Sequence, residues 1–180
     1  MLRFHWTGHD LSLHITMHNR KHNRWKGYDY SEDNLYFITS NVHNRICCLG
    51  EIVKGKMILN AFGDIADKQW HWLATQYPYI ILHEFVVMPN HIHGIVEIHR
   101  DYGVSPIIKS LSDIMGVYKT TTSKQIHLLA IKEGIDNMKS FQWQRSFHDH
   151  IIRNAKSCET ISSYIYNNPS KWEADIFYIN

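Results

Sequence analysis

Met88-Pro89-Asn90-His91-Ile92-His93-Gly94, continuing into Ile95-Val96-Glu97-Ile98, is the stretch on which the fold turns. Pro89-Asn90 reads as a turn, and the residues after it alternate as a strand does. Successive strand side chains point to opposite faces, so His91 and His93 share one face while Ile92, Val96 and Ile98 share the other. Gly94 leaves a gap on the apolar face. Upstream, Ile80 to Met88 is rich in β-formers, and the two runs make an antiparallel hairpin. Two imidazoles side by side on a strand can converge on a metal without rearranging the backbone. The same pattern also describes two polar residues on the wet face of a half-buried strand, so the histidines must be weighed against the rest of the chain.

The chain has 180 residues, enough for one domain with a real core. It is 44% hydrophobic and 20% charged, ordinary globular values. No apolar run is long enough for a membrane span, and the first residues lack the apolar core of a signal peptide. Cys47 and Cys48 are adjacent and Cys158 is remote, which suggests no disulfide framework and fits a reducing cytoplasm. The net charge of +2 permits nucleic-acid binding without demanding it.

Around the hairpin, Leu35 to Val42 reads as a first strand. Ile46 to Ile52 and Lys56 to Leu59 flank the turn Val53-Lys54-Gly55 as a second hairpin. Asp64 to Gln76 carries Ile65, Trp70, Leu73 and Ala74 at helical spacing and stops before Pro78. Ser105-Pro106 is a helix start, followed by an apolar face of Ile107, Ile108, Leu111, Met115 and Tyr118. His127 to Ser140 reads as helix and then loop. Phe141 to Ile152 reads as a last strand, and Asn154 caps a final helix through Asn168. Pro169 ends that helix, leaving Ser170-Lys171-Trp172 as a tail. The fold class is therefore α+β, an antiparallel sheet with helices packed on one face and the histidine face left available for a ligand. Arg20-Lys21-His22-Asn23-Arg24-Trp25-Lys26 is a basic cluster holding an aromatic. It reads equally as a nucleic-acid arm or a solvated tail, so residues 1–26 form an extension and 27–180 the domain.

The last helix contains Tyr164-Ile165-Tyr166-Asn167-Asn168-Pro169. Tyr164 and Asn168 lie four apart on one face. A tyrosine hydroxyl there can act as a nucleophile and an asparagine oxygen one turn on as a hard metal ligand, although simple packing and helix termination give the same pattern.

Phe85-Val86-Val87-Met88-Pro89-Asn90-His91-Ile92-His93-Gly94 resembles the HUH motif of the IS200-type single-tyrosine transposases, and more closely that of the REP-associated tyrosine transposases. Gln144-Arg145-Ser146-Phe147-His148-Asp149-His150-Ile151-Ile152-Arg153-Asn154, followed by Tyr164-Ile165 and Asn168-Pro169, is similar to a second block of that family. Lys26 to Tyr30, Leu35 to Thr39, Gly50 to Val53 and Met57 to Asn60 match as well. The likeness runs from about Trp25 to Trp172, and residues 1–16 have no counterpart. Met17 is therefore a candidate translation start.

The resemblance implies a ferredoxin-like sheet of four or five strands with an HUH-type nuclease core. It implies metal-dependent nicking and rejoining of single-stranded DNA at hairpin sequences through a 5′-phosphotyrosine. His91 and His93 take the place of the metal histidines, Tyr164 of the nucleophile and Asn168 of the further metal-binding residue. Tyr166 competes for the nucleophile's role, but it is about 200° further round the helix, so only one tyrosine can face the metal. Two imidazoles alone suit Zn²⁺, Ni²⁺ or Cu²⁺; the resemblance points to Mg²⁺ or Mn²⁺. Arg20, Arg24, Trp25, Lys26 and Arg145 are candidate DNA contacts, and the partner is a single-stranded DNA hairpin. A homodimer, with Tyr164 serving its own metal site or its partner's, stays open. So do two other classes, a non-catalytic hairpin-binding module and a metal hydrolase that forms no covalent adduct.

Overall fold

The structure, a computed structural model, describes residues 29–100 and 108–178. Its core is a four-stranded antiparallel sheet of β1 (Asn34–Asn41), β4 (Ile80–Val87), β5 (His91–Ile98) and β6 (His148–Ile152), in the order β4-β5-β1-β6. A separate hairpin, β2 (Gly50–Val53) and β3 (Lys56–Leu59), turns at Lys54 and Gly55, both with positive φ. Three α-helices complete the described fold: α1 (Ala61–Gln76), α2 (Leu111–Lys132) and α3 (Ala155–Asn167).

Alternation along the strands divides the side chains as the sequence predicts. Tyr36, Ile38, Ile92, Val96 and Ile98 are buried on one face against Ala66, Trp70 and Leu73 of α1 and Leu111, Ile114, Met115, Tyr118 and Ile126 of α2. A bulge between Leu82 and Phe85 shifts the β4 register, so Ile80 and Leu82 pair with core residues before it and Phe85 and Val87 after it. Phe85 then lies opposite Gly94, and the indole of Trp70 stacks on Phe85 with ring centroids 4.5 Å apart. A Cβ on Gly94 would collide with that indole. The gap in the strand is thus the seat of a buried tryptophan.

Capping explains where the helices begin. Asn60 accepts hydrogen bonds from the backbone N–H groups of Phe62 and Gly63, so α1 starts at Ala61, three residues before the expected Asp64. In α2 the cap is Ser110, in a reciprocal box with Asp113, rather than Ser105, which with Pro106 and Ile107 lies outside the described residues. Helix α2 continues to Lys132, so the stretch from His127 begins as helix and then leaves it.

Three further expectations are corrected. The last strand is only His148–Ile152. Lys119 Nζ donates to the carbonyls of Gln144, Arg145 and Ser146, which ties that stretch to α2 as a loop, and Trp143 makes only an isolated bridge with Val42. The chain after Pro169 is no tail. It forms a 3₁₀ helix, Pro169–Ala174, and buries Trp172 and Phe177 against Met88. Finally, α1 and α2 supply the helical layer on one face, but α3 lies on the other, packing Ile165 onto Ile95 and Ile152. The histidine face is therefore covered. The basic cluster Arg20, Arg24, Trp25 and Lys26 lies outside the described residues.

Because the indole of Trp70 fills the space over Gly94, Gly94→Ala should cost about 1–3 kcal/mol through overpacking, read as a clear drop in melting temperature. An unchanged melting temperature would contradict this packing.

Candidate metal centre and its tyrosine

Strand β5 delivers His91 and His93 to the same side of the sheet, at 0% and 1% exposure. Their Nε2 atoms face each other at 3.0 Å. The outer ring nitrogens are held from behind. His91 Nδ1 meets Asn90 Oδ1 at 2.8 Å and His93 Nδ1 meets Thr39 Oγ1 at 2.8 Å. Asn90 has no freedom to turn its amide, because its Nδ2 donates to the carbonyls of Arg45 and Phe177. Its Oδ1 therefore accepts from His91 Nδ1–H, which leaves the Nε2 lone pair pointing inward. Thr39, paired in register with His93 across β1, can accept in the same way.

Burial keeps both rings neutral. It is the first cause of the low basicity of His91, with repulsion from His93, were both rings protonated, and from the charge of Arg45 adding to it. Burial alone lowers His93 to about 3. Two neutral imidazoles would have no proton to lose before ligating a cation.

Helix α3 brings in the remaining groups. Asn154 caps it by accepting from the Ser157 N–H. With Ile165 buried, Tyr164 Oη lies 3.2 Å from Nε2 of His93 in the same chain, and Phe37 meets the phenol ring edge-on. Tyr166 is 78% exposed, so of the two tyrosines Tyr164 faces the histidines. Burial first, and then the charge of Asp175, push the Tyr164 hydroxyl well above the usual tyrosine range. Asn168 is buried; its Nδ2 donates to Asp175 Oδ2 at 2.9 Å, while its Oδ1 is buried with no hydrogen-bond partner.

Asp175 was not read from the sequence. Its Oδ1 accepts from the Phe177 N–H, and a carboxylate oxygen of Asp175 lies within 4.8 Å of ring nitrogens of His91 and His93. Phe177 covers His91, with ring centroids 4.6 Å apart. The signal available was weak: Trp172 and Phe177 are large apolar residues in a segment that otherwise reads as tail. Asn90 and Thr39 are short polar residues with no periodic signature of their own. Arg145 is exposed on the loop held by Lys119.

These residues fit a divalent cation. Two donors about 2.1 Å from one ion and at right angles stand about 3.0 Å apart, which matches the Nε2 separation. The Asp175 carboxylate adds a hard oxygen donor beside the two nitrogens, and the orphaned Oδ1 belongs to Asn168, which donates to that carboxylate.

The sequence profile of the family described as "Transposase IS200 like" matches residues 68–168, which include both histidines, Tyr164 and Asn168. An uncharacterized protein of Haemophilus influenzae is 34% identical over 172 residues, 91% of this chain and 96% of that protein. Among solved structures, a REP-associated tyrosine transposase bound to a REP hairpin shares the fold, with a TM-score of 0.56 at 22% identity over 83% of this chain and 73% of the other. Among the described residues, no helix is long and apolar enough to cross a membrane. With its antiparallel sheet, paired histidines and profile match over more than half its length, the chain belongs to the IS200-like transposase family.

Proposed function

We propose that this chain nicks and rejoins single-stranded DNA beside a hairpin, with Tyr164 as nucleophile and His91, His93 and Asn168 as ligands of Mg²⁺ or Mn²⁺. The observation that carries this reading is the meeting of Tyr164 Oη with His93 Nε2 at 3.2 Å, where His91 Nε2 is a further 3.0 Å away. A packing tyrosine needs one acceptor. It does not need two buried imidazoles brought Nε2 to Nε2 beside it, with a carboxylate oxygen within 4.8 Å of both rings' nitrogens. The hairpin preference is supported by family membership and by the fold shared with a transposase bound to a REP hairpin.

Held by His91, His93 and Asn168, a divalent cation would supply Lewis-acid polarisation of a phosphate oxygen and offset charge developing in the transition state. The chain's own residues account for the rest. The Tyr164 oxygen attacks phosphorus in line, forming an Oη–P bond as the bond from phosphorus to the 3′ oxygen breaks. The departing oxygen takes up a proton and becomes a 3′-hydroxyl. The phenol's proton has an acceptor at hand in Asp175, whose charge and hydrogen bonding already act on the Tyr164 hydroxyl. The 5′-phosphotyrosine preserves the energy of the broken phosphodiester, so attack by a 3′-hydroxyl reseals the strand without ATP. Arg145 is proposed as a phosphate contact on the exposed loop.

The test is a labelled pool of DNA hairpins with randomised single-stranded flanks, incubated with Mn²⁺ and run on a denaturing gel. A band migrating as a protein–DNA adduct is expected from wild type and from Tyr166→Phe, and none from Tyr164→Phe, which should still bind the pool. Binding without any adduct from wild type would leave a hairpin-binding module; cleavage without an adduct would point to a hydrolase.

The buried histidines also set an acid limit. His91 and His93 bind fewer protons in the fold than in the unfolded chain, where each titrates near 6.5. Their contribution to stability is full above that value and is lost as pH falls below it, by about 1.4 kcal/mol per pH unit for each ring. Thermal melts in EDTA from pH 7 to about pH 5 should fall steeply for wild type and less steeply for the His91→Gln/His93→Gln double variant. Parallel slopes would mean that the rings titrate normally.

A further inference from the structure

Arg45 follows the end of β1 in a short 3₁₀ turn, His43–Arg45, just past Asn41, which pairs in register with His91. Both Asn44 and Arg45 hold a positive φ, 55° and 54°. Non-glycine residues adopt that region at a cost and keep it only where their surroundings fix them. What fixes Arg45 is the metal centre's own support. The Asn90 amide that orients His91 through its Oδ1 donates from its Nδ2 to the Arg45 carbonyl at 3.1 Å. The turn and the His91 ring are thus held by one side chain.

The half-buried guanidinium is directed along the same rim. It donates to the Ile176 carbonyl at 3.2 Å and lies over the Phe177 ring, 5.3 Å from its centroid. Phe177 in turn covers His91. The charge of Arg45 is felt by His91 and by His148, which lies across β1 from His93 on the same face. Asn41, on this face too, has a buried Oδ1 without a hydrogen-bond partner. Polar groups thus continue from the histidine pair across the end of β1 toward β6. The neutral histidines contribute no positive charge of their own to this rim.

A carbonyl oxygen and an aromatic face are the partners a guanidinium would exchange for a phosphate oxygen and a base. We propose that Arg45 is a substrate-binding residue, contacting a backbone phosphate of the DNA strand that enters the metal centre. This rests on the reading of the chain as a single-strand nickase. Arg45 lies outside residues 68–168, where the family profile matches. The fork geometry of arginine suits two oxygens of one phosphate, which lysine would meet only as a point charge.

The same labelled hairpin pool tests this by binding at a series of salt concentrations. Arg45→Gln keeps the stem and a donor for Ile176 but removes the charge. It should bind the pool more weakly, with a slope of log affinity on log salt shallower by about 0.7, the value for one phosphate contact on single-stranded DNA. Arg45→Lys should keep the slope. Phe177→Ala should keep it too, which separates a DNA contact from a clamp on the C-terminal segment. Mn²⁺ affinity of the DNA-free Arg45→Gln protein should be no weaker than that of wild type, since the charge removed repels a cation at His91. A wild-type salt slope in Arg45→Gln overturns the proposal, and so does an equal loss of slope in Phe177→Ala. The adduct assay is read separately: wild type that binds with the expected slope but forms no adduct refutes the nicking reading and leaves the contact standing, whereas wild type that fails to bind the pool refutes both.

Discussion

Two uncharged imidazoles whose Nε2 atoms face each other at 3.0 Å in a buried site are the constraint on which the rest of this structure depends. Each ring is held by a hydrogen bond on its far side, His91 Nδ1 donating to Asn90 Oδ1 and His93 Nδ1 meeting Thr39 Oγ1. Asn90 is fixed in turn by two carbonyls, one before the β2–β3 hairpin and one near the end of the described chain. Thr39 is fixed by the β1–β5 register. The sheet and the chain's last segment thus hold the two ring nitrogens facing each other.

Burial has two opposing consequences here. It makes the rings better ligands at neutral pH, since no proton has to leave before a cation binds. It also holds the phenol of Tyr164 in its protonated form, because desolvation and the Asp175 carboxylate both favour it. A cation at the histidines would oppose both effects on the phenol. The segment after Pro169 contributes to each side, with Phe177 excluding water over His91 and Asp175 bringing a carboxylate to Asn168.

Much of this was legible in the sequence. Alternation through Ile92, Val96 and Ile98 fixes which face of β5 is core, and the four-residue spacing of Tyr164 and Asn168 puts both on the side of α3 that meets the histidines. Gly94 was readable as a gap but not as the seat of Trp70, because a glycine does not announce its neighbour. The longer last strand failed because Phe141, Trp143 and Phe147 alternate as strand residues do, while Lys119, twenty-odd positions earlier, takes the backbone carbonyls. The covered histidine face and Asp175 were missed for a common reason. A ten-residue segment without period docks through two aromatic side chains, and the carboxylate reaches the site only because those rings are anchored. Long-range placement of this kind leaves no trace in local spacing.

The central claim is that His91 and His93 close on one cation beside Tyr164. Its most direct test is a crystal of the protein soaked in Mn²⁺ and measured at the manganese absorption edge. The account predicts one anomalous peak within about 2.3 Å of both Nε2 atoms, with Asn168 Oδ1 or an Asp175 oxygen completing the set and Tyr164 Oη alongside. A histidine pair with no peak between its Nε2 atoms in a saturating soak, or a peak bound elsewhere while the rings keep their positions, would contradict it.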